Sequence, residues 1–233
     1  VVVPESPKND LDDIPEAGKR FAADRRSDLS KIEKQGAKRR AVQAYLASIS
    51  YADEQLGRVL DALEASKHNA NTVILFWSDH GWHLGEKRHW HKSTLWEEAT
   101  RIPLIIAAPK LKPGVCEQPV SLLDLFPTLT ELCGVSAVQP LDGLSLVPQL
   151  KMPKAKRRPV VIEFRKGNAA VRSKRWRYIR YEDGSEELYD HKNDPGERVN
   201  LAGKAKHQPV KARLVKWFPE KWAEAALTKN AFN

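Results

Sequence analysis

The sequence predicts an α/β chain, part of a mainly parallel sheet flanked by helices, followed by a small antiparallel sheet with a helix of its own. Three observations carry this expectation. Two continuous apolar runs, "TVILFW" (72–77) and "PLIIAAP" (103–109), are short and rich in β-branched and aromatic residues, as strands buried on both faces of a parallel sheet are. A long segment from about Lys38 to Ala65 repeats its apolar residues at steps of three and four, the period of an amphipathic helix. Beyond residue 159 the pattern changes to short strand-like runs at hairpin spacing.

Taken in order, residues 1 to about 30 are rich in proline and aspartate and read as an irregular arm. The long helix follows, with Val42, Tyr45, Leu46, Ile49, Leu56, Val59 and Leu60 on its apolar face, and "KHNAN" breaks it ahead of the first strand. Between 110 and 160 come a proline-rich connector and a helix with Asp124 as N-cap, Pro127 in the first turn and Gly134 as its close. "KMPKAKRRP" (151–159) reads as a basic linker. It divides the chain into 1–150, the larger α/β part, and 151–233. In the second part "VVIEF", "AAVRS", "RWRYIRY" and "EELYD" are the strands, "EDGSE" is a turn, and a helix from about Val210 to Ala226 comes last.

The 233 residues suffice for one domain with a smaller appendage. A formal net charge of +9 points to an anionic partner, an acidic polysaccharide or a sulfate ester among them, beside the plainer reading of a solvated basic surface. No nucleic-acid-binding motif accompanies the charge. No apolar stretch approaches the roughly 18 residues of a membrane span, and no signal peptide is visible in the first thirty residues. Cys116 and Cys133 fit neither a metal-site spacing nor a disulfide framework.

The chemistry concentrates in "FWSDHGWHLGEKRHWHKS" (76–93), which holds four of the seven histidines. Asp79 and His80 stand where the first predicted strand ends, and in open α/β sheets ligands sit at the carboxyl ends of strands. A carboxylate oxygen and an imidazole nitrogen there can turn toward one cation. The alternative is that Asp79 caps the next turn and His80 is a satisfied core histidine.

"SDHGWHLGEKRHWHK" followed by "ATRIPLIIAAP" resembles the sulfatase family, in its iduronate- and choline-sulfatase branch. The matching positions are Ser78, Asp79, His80, Gly81, Leu84, Gly85 and Glu86, then Trp90 and Lys92, then Thr100, Ile102, Pro103, Leu104 and Ile105. "QAYLASISYADEQLGRVLDALE", "SLLDLFPTLTELCG" and "RYIRYEDGSEELYDHKNDPGERVNLA" resemble further family segments, in family order. The resemblance implies an alkaline-phosphatase-like fold and sulfuric ester hydrolysis. Asp79 and His80 would be ligands of a single divalent cation, usually Ca2+, and Lys92 the lysine that contacts the sulfate. Trp82, His83 and His91 are expected on the substrate side, and Glu86 and Arg101 in structural roles. Arg172, Lys174 and Arg175 would face an anionic saccharide or simply solvent. Ala169 stands where several relatives have a histidine.

The family's nucleophile, a cysteine converted to formylglycine within C-x-P-S-R or C-x-A-x-R, has no match here, since "CEQPV" and "CGVSA" fit neither pattern. The upstream aspartates of the metal site have no match either. The expectation is therefore the C-terminal portion of a sulfatase, inactive by itself, with a complementary N-terminal chain as partner and a secreted, periplasmic or lysosomal location. A phosphatase or phosphonate hydrolase of the same superfamily, and a non-catalytic basic glycan-binding fragment, are the alternatives.

Overall fold

A computed structural model describes residues 1–23, 28–136 and 139–222. Its helices are α1 (Glu16–Ala22), α2 (Leu29–Lys34), α3 (Lys38–Glu64), α4 (Glu97–Thr100), α5 (Leu125–Cys133), α6 (Val147–Lys151) and α7 (Gln208–Leu214). Its strands are β1 (Ile74–Trp77), β2 (His83–Leu84), β3 (Trp90–His91), β4 (Leu104–Ala107), β5 (Val160–Glu163), β6 (Ala169–Arg172), β7 (Trp176–Arg180) and β8 (Glu186–Asp190). Helix α3 matches the expected long helix, and a 3₁₀ turn at Asn69–Asn71 ends the break before β1. The expected terminal helix is α7 followed by a 3₁₀ turn at Val215–Trp217; residues 223–226 lie outside the described residues.

The two apolar runs do form strands, but they pair with each other, antiparallel, with Ile74 opposite Ala107 and Trp77 opposite Leu104. All strand pairs among the described residues are antiparallel. The expectation of burial on both faces does not hold for β1 and β4 as they stand. Trp77 is 47% exposed and Ile105 60% exposed, and among the described residues the sheet has only these two strands.

Strands β5 to β8 form a meander in sequence order. Side chains alternate between its faces, as a period of two requires. Ala169, Val171, Trp176, Tyr178 and Leu188 pack toward Ala202, Leu214 and Phe218, the α7 side. Ala170, Ile179, Tyr181 and Tyr189 pack toward Ile14, Ala17, Phe21, Ala22, Leu95 and Trp96. This second core corrects the picture of an irregular N-terminal arm. Ile14, Ala17, Phe21 and Ala22 are spaced as one helical face and are buried, although proline and aspartate dominate the surrounding composition. The arm thus wedges between the segment after β3 and the C-terminal sheet.

Helix α5 begins as expected with Pro127 in its first turn, and Gly134, at φ 67°, closes it. Asp124 stands at the N-cap position as expected, but its side chain does not cap that helix. Its carboxylate accepts from the backbone N–H of Ser121 (2.7 Å) and of Leu144 (2.8 Å) and pairs with Arg157 at 2.6 Å. The stretch expected as a free basic linker is therefore anchored by a buried arginine.

Candidate functional site

Strand β1 ends at Trp77, and the next residues turn toward α4. Gly81 makes that turn possible. Its N–H donates to the Ala99 carbonyl (2.8 Å), and a Cβ at this position would run into the Glu98 carbonyl. The close approach places Asp79 and His80 beside the chain that follows the β2–β3 hairpin. Asp79 is exposed, and its Oδ2 lies 3.4 Å from His80 Nε2. His80 Nδ1 faces the Gly81 carbonyl at 2.9 Å, and His80 Nε2 meets Lys92 Nζ at 2.7 Å. A carbonyl oxygen only accepts, so in the neutral ring Nδ1 carries the hydrogen and Nε2 presents its lone pair outward. Asp79, His80 and Lys92 all line one groove of about 1620 Å³, shared with the connector after β4, with β5 and with Arg172.

Lys92 is held by unusual backbone. His91 at φ 99° and Ser93 at φ 76° flank it, and Lys87 and Arg88 in the preceding turn are both at φ 50°. Such conformations cost about 1–3 kcal/mol each and persist only where surrounding contacts impose them. Here the contacts are visible. Buried His89 sets its ring nitrogens 2.9 Å from the Ala22 carbonyl and 2.8 Å from the Lys92 carbonyl. Lys87, also buried, pairs with Asp10 at 3.2 Å and donates to the Glu197 carbonyl. Arg88 grips Glu33 of α2 through two 2.7 Å bonds.

The residues expected on the substrate side pack next to the site without lining its groove. His83 is fully buried, with Nε2 2.8 Å from the Thr94 hydroxyl. Burial, with His89 beside it, pushes its pKa down to about 3, so it stays neutral as a packing group. Trp82 stacks on Tyr45 of α3 (6.3 Å) and on His80 itself (6.2 Å), with the His91 ring tilted against it at 4.5 Å, and its indole N–H is buried. His91 Nε2 pairs with Asp28 at 3.0 Å. None of these three lines the groove that holds Asp79, His80 and Lys92. Glu86 is a turn anchor as read, accepting from the Leu84 N–H at 2.6 Å. Arg101, expected in a structural role, is exposed and lines the groove, so it is not part of a buried charge pair.

Sequence reasoning missed an ion cluster in the groove wall, where Glu97, Arg172, Arg177 and His191 are lining residues. Glu97 of α4 pairs with Arg177 and with Arg172 (3.0 Å), Arg177 Nε reaches Glu197 at 2.6 Å, and His191 Nε2 reaches Glu197 at 2.8 Å. Burial pushes the Glu97 carboxyl up, but Arg177 and Arg172 more than offset this and hold it at about 2. Its neighbour Glu98 lacks such partners, so burial, with Glu86, Glu197 and Glu97 close by, pushes its carboxyl to about 7. Glu97, His191 and Glu197 bring their ligand atoms within 4.8 Å of one another. Two guanidinium groups already neutralise those carboxylates, so a metal ion there would meet positive charge, and the donor set does not fit one. Asp79 and His80 fit better, offering an exposed oxygen and, where the side chain of Lys92 swings away from His80 Nε2, a nitrogen lone pair. Of the saccharide-facing candidates, Arg172 is engaged by Glu97 and His191, Arg175 by Asp190 (2.7 Å), and Lys174 by Glu117 (2.6 Å).

Residues 7–135 match the family model described as sulfatase, and residues 85–223 match that of the C-terminal region of N-sulphoglucosamine sulphohydrolase. The chain belongs to the sulfatase family. A sulfatase of Formosa agariphila is 40% identical over 228 residues, covering 93% of this chain and 44% of the relative. The choline-sulfatase of Rhizobium meliloti is 40% identical over 172 residues, covering 70% and 33%. A solved structure of a 2-O GAG sulfatase superposes with a TM-score of 0.75 at 29% identity, covering 91% of this chain and 50% of that one. The fold is thus the alkaline-phosphatase-like α/β fold expected, and this sulfatase chain spans less than half the length of the curated relatives it matches. The family uses a divalent metal, and Asp79 and His80 are the pair here whose chemistry suits one.

Proposed function

We propose that the whole protein hydrolyses sulfate esters of a saccharide, and that this chain supplies the cation-binding pair Asp79 and His80 and the sulfate-binding Lys92. The observation that carries this reading is the convergence of the three groups, with the 2.7 Å and 3.4 Å contacts meeting at His80 Nε2. Family membership supports sulfate over phosphonate esters, and the likeness to a 2-O GAG sulfatase supports a sulfated glycan. The +9 net charge favours such an anionic substrate.

Each residue has a definable task. Lys92 places a compact ammonium beside the sulfuryl oxygens, where negative charge shifts as the ester S–O bond breaks. The divalent cation, when bound, supplies Lewis-acid polarisation; Ca2+ is the expected ion, although an imidazole ligand suits manganese or zinc better. Asp79 and His80 orient that ion from the end of β1. Arg101, exposed in the same groove, is positioned for the saccharide's anionic groups. Cys116 and Cys133 are not the nucleophile, since neither lies in a formylglycine motif. The nucleophile and the remaining metal ligands are proposed to lie on a complementary N-terminal segment.

The test pairs this chain with an upstream segment carrying an oxidised C-x-P-S-R cysteine and assays sulfate against phosphate esters. Turnover of the sulfate ester by the pair, and none by this chain alone, is the expected result. A preference for the phosphate ester would overturn the reading.

A further inference from the structure

The contact between Lys92 and His80 has a consequence for how cation and substrate binding are linked. Resting on the reading of Asp79 and His80 as cation ligands, we propose that Lys92 and the divalent cation compete for the lone pair of His80 Nε2. Cation binding is then the event that releases Lys92 toward the sulfate ester.

His80 Nδ1 is committed to the Gly81 carbonyl, so the ring has one outward lone pair, at Nε2. An ammonium group can only donate, and Lys92 Nζ, 2.7 Å away, donates to that lone pair. Asp79 Oδ2 is 3.4 Å from the same nitrogen. A +1 charge therefore lies on the His80 lone pair that a bound cation would need. One imidazole lone pair cannot serve both. The exchange requires no backbone movement: the Lys92 carbonyl is fixed by His89, and the residues on either side are locked at positive φ. The flexible four-carbon stem of an exposed lysine makes the whole excursion. By linkage, the cation and a sulfate group that engages Lys92 strengthen each other's binding.

Mn2+ titration of this chain paired with the upstream segment that supplies the remaining ligands, with free ion read by electron paramagnetic resonance, tests this without any turnover. Lys92→Met removes the competitor. Lys112→Met removes the same charge from another wall of the same groove. Asp79→Asn weakens the cation site itself. Lys92→Met is expected to tighten Mn2+ binding by roughly tenfold, the factor that about 1.4 kcal/mol represents, while Lys112→Met matches the unaltered chain. Unchanged affinity in Lys92→Met overturns the competition, as does equal tightening in both lysine variants, which would be a general charge effect. If Asp79→Asn leaves the affinity unchanged, the cation reading of the site fails, and the competition fails with it.

Discussion

Lys92 sits between two residues at positive φ and beneath a buried histidine that holds its carbonyl, so its side chain is aimed by contacts rather than by chance. In the paired, active enzyme, Lys92→Ala should lower kcat/KM for a sulfate ester by about 10²–10³, the scale set by removing one charge-stabilising donor; a loss under twofold would exclude contact with the sulfate. Glu98 gives a second prediction. Its carboxyl is raised to about 7 from the ordinary 4.5. The folded chain therefore holds a proton there that the unfolded chain releases. The resulting stability is full below pH 4.5 and is lost as pH rises through 7. Glu98→Gln should remove this dependence, so that its thermal midpoint gains on that of the unaltered chain between pH 4.5 and 7. A difference that stays constant with pH would refute it.

At the level of elements, the ion cluster fastens α4 to the C-terminal sheet. Arg177 is buried with Glu97 on one side and Glu197 on the other, and also donates to the Leu95 carbonyl at 2.8 Å. Removing it strands two buried carboxylates. Arg177→Met should therefore cost about 3–5 kcal/mol by urea unfolding, and adding Glu97→Gln should recover part of that loss because one stranded charge disappears. A cost below 1 kcal/mol would mean that water reaches the cluster. The second buried carboxylate centre is Glu187 of β8, which accepts from Trp96 Nε1 (2.7 Å), from the Tyr181 hydroxyl (2.6 Å) and from the Tyr189 hydroxyl (2.5 Å). Both centres tie the segment after β3 to the meander, so the frame of the site belongs to both halves of the sequence. Packing thus crosses residue 150, and the proposed division into 1–150 and 151–233 describes topology more than independent stability.

On the scale of the whole molecule, several elements expose apolar side chains. Ile49 and Val59 of α3, Trp77 of β1, Ile105 of β4 and Phe126 of α5 are all exposed, and among the described residues β1 and β4 form a sheet of only these two strands. Exposed apolar area of this extent marks an interaction surface. A complementary N-terminal sulfatase segment is the proposed occupant. This chain alone should bind a hydrophobic dye such as ANS strongly, and the upstream segment should suppress that signal while raising the thermal midpoint. Dye binding unaffected by the segment would place its contact elsewhere.

The sequence by itself determined the family, the strand-to-turn placement of Asp79 and His80, the long helix, and the four-strand meander. Each is written in local patterns: a contiguous motif, a 3.6-residue period, a two-residue period with turn residues between. Only the tertiary structure decided which histidines face the groove. The motif singles out His80, but His83, expected beside it on the substrate side, is sealed against Thr94, because its burial depends on what packs around it, His89 and Trp96 among them. The same holds for Glu97 and Arg177, eighty residues apart and joined in one buried pair, and for Ala17 and Phe21, whose short helix becomes core, with Ile14 just before it, only when a distant sheet covers it. Sequence proximity carries motif chemistry, whereas charge pairing and desolvation depend on distances that only the folded chain sets.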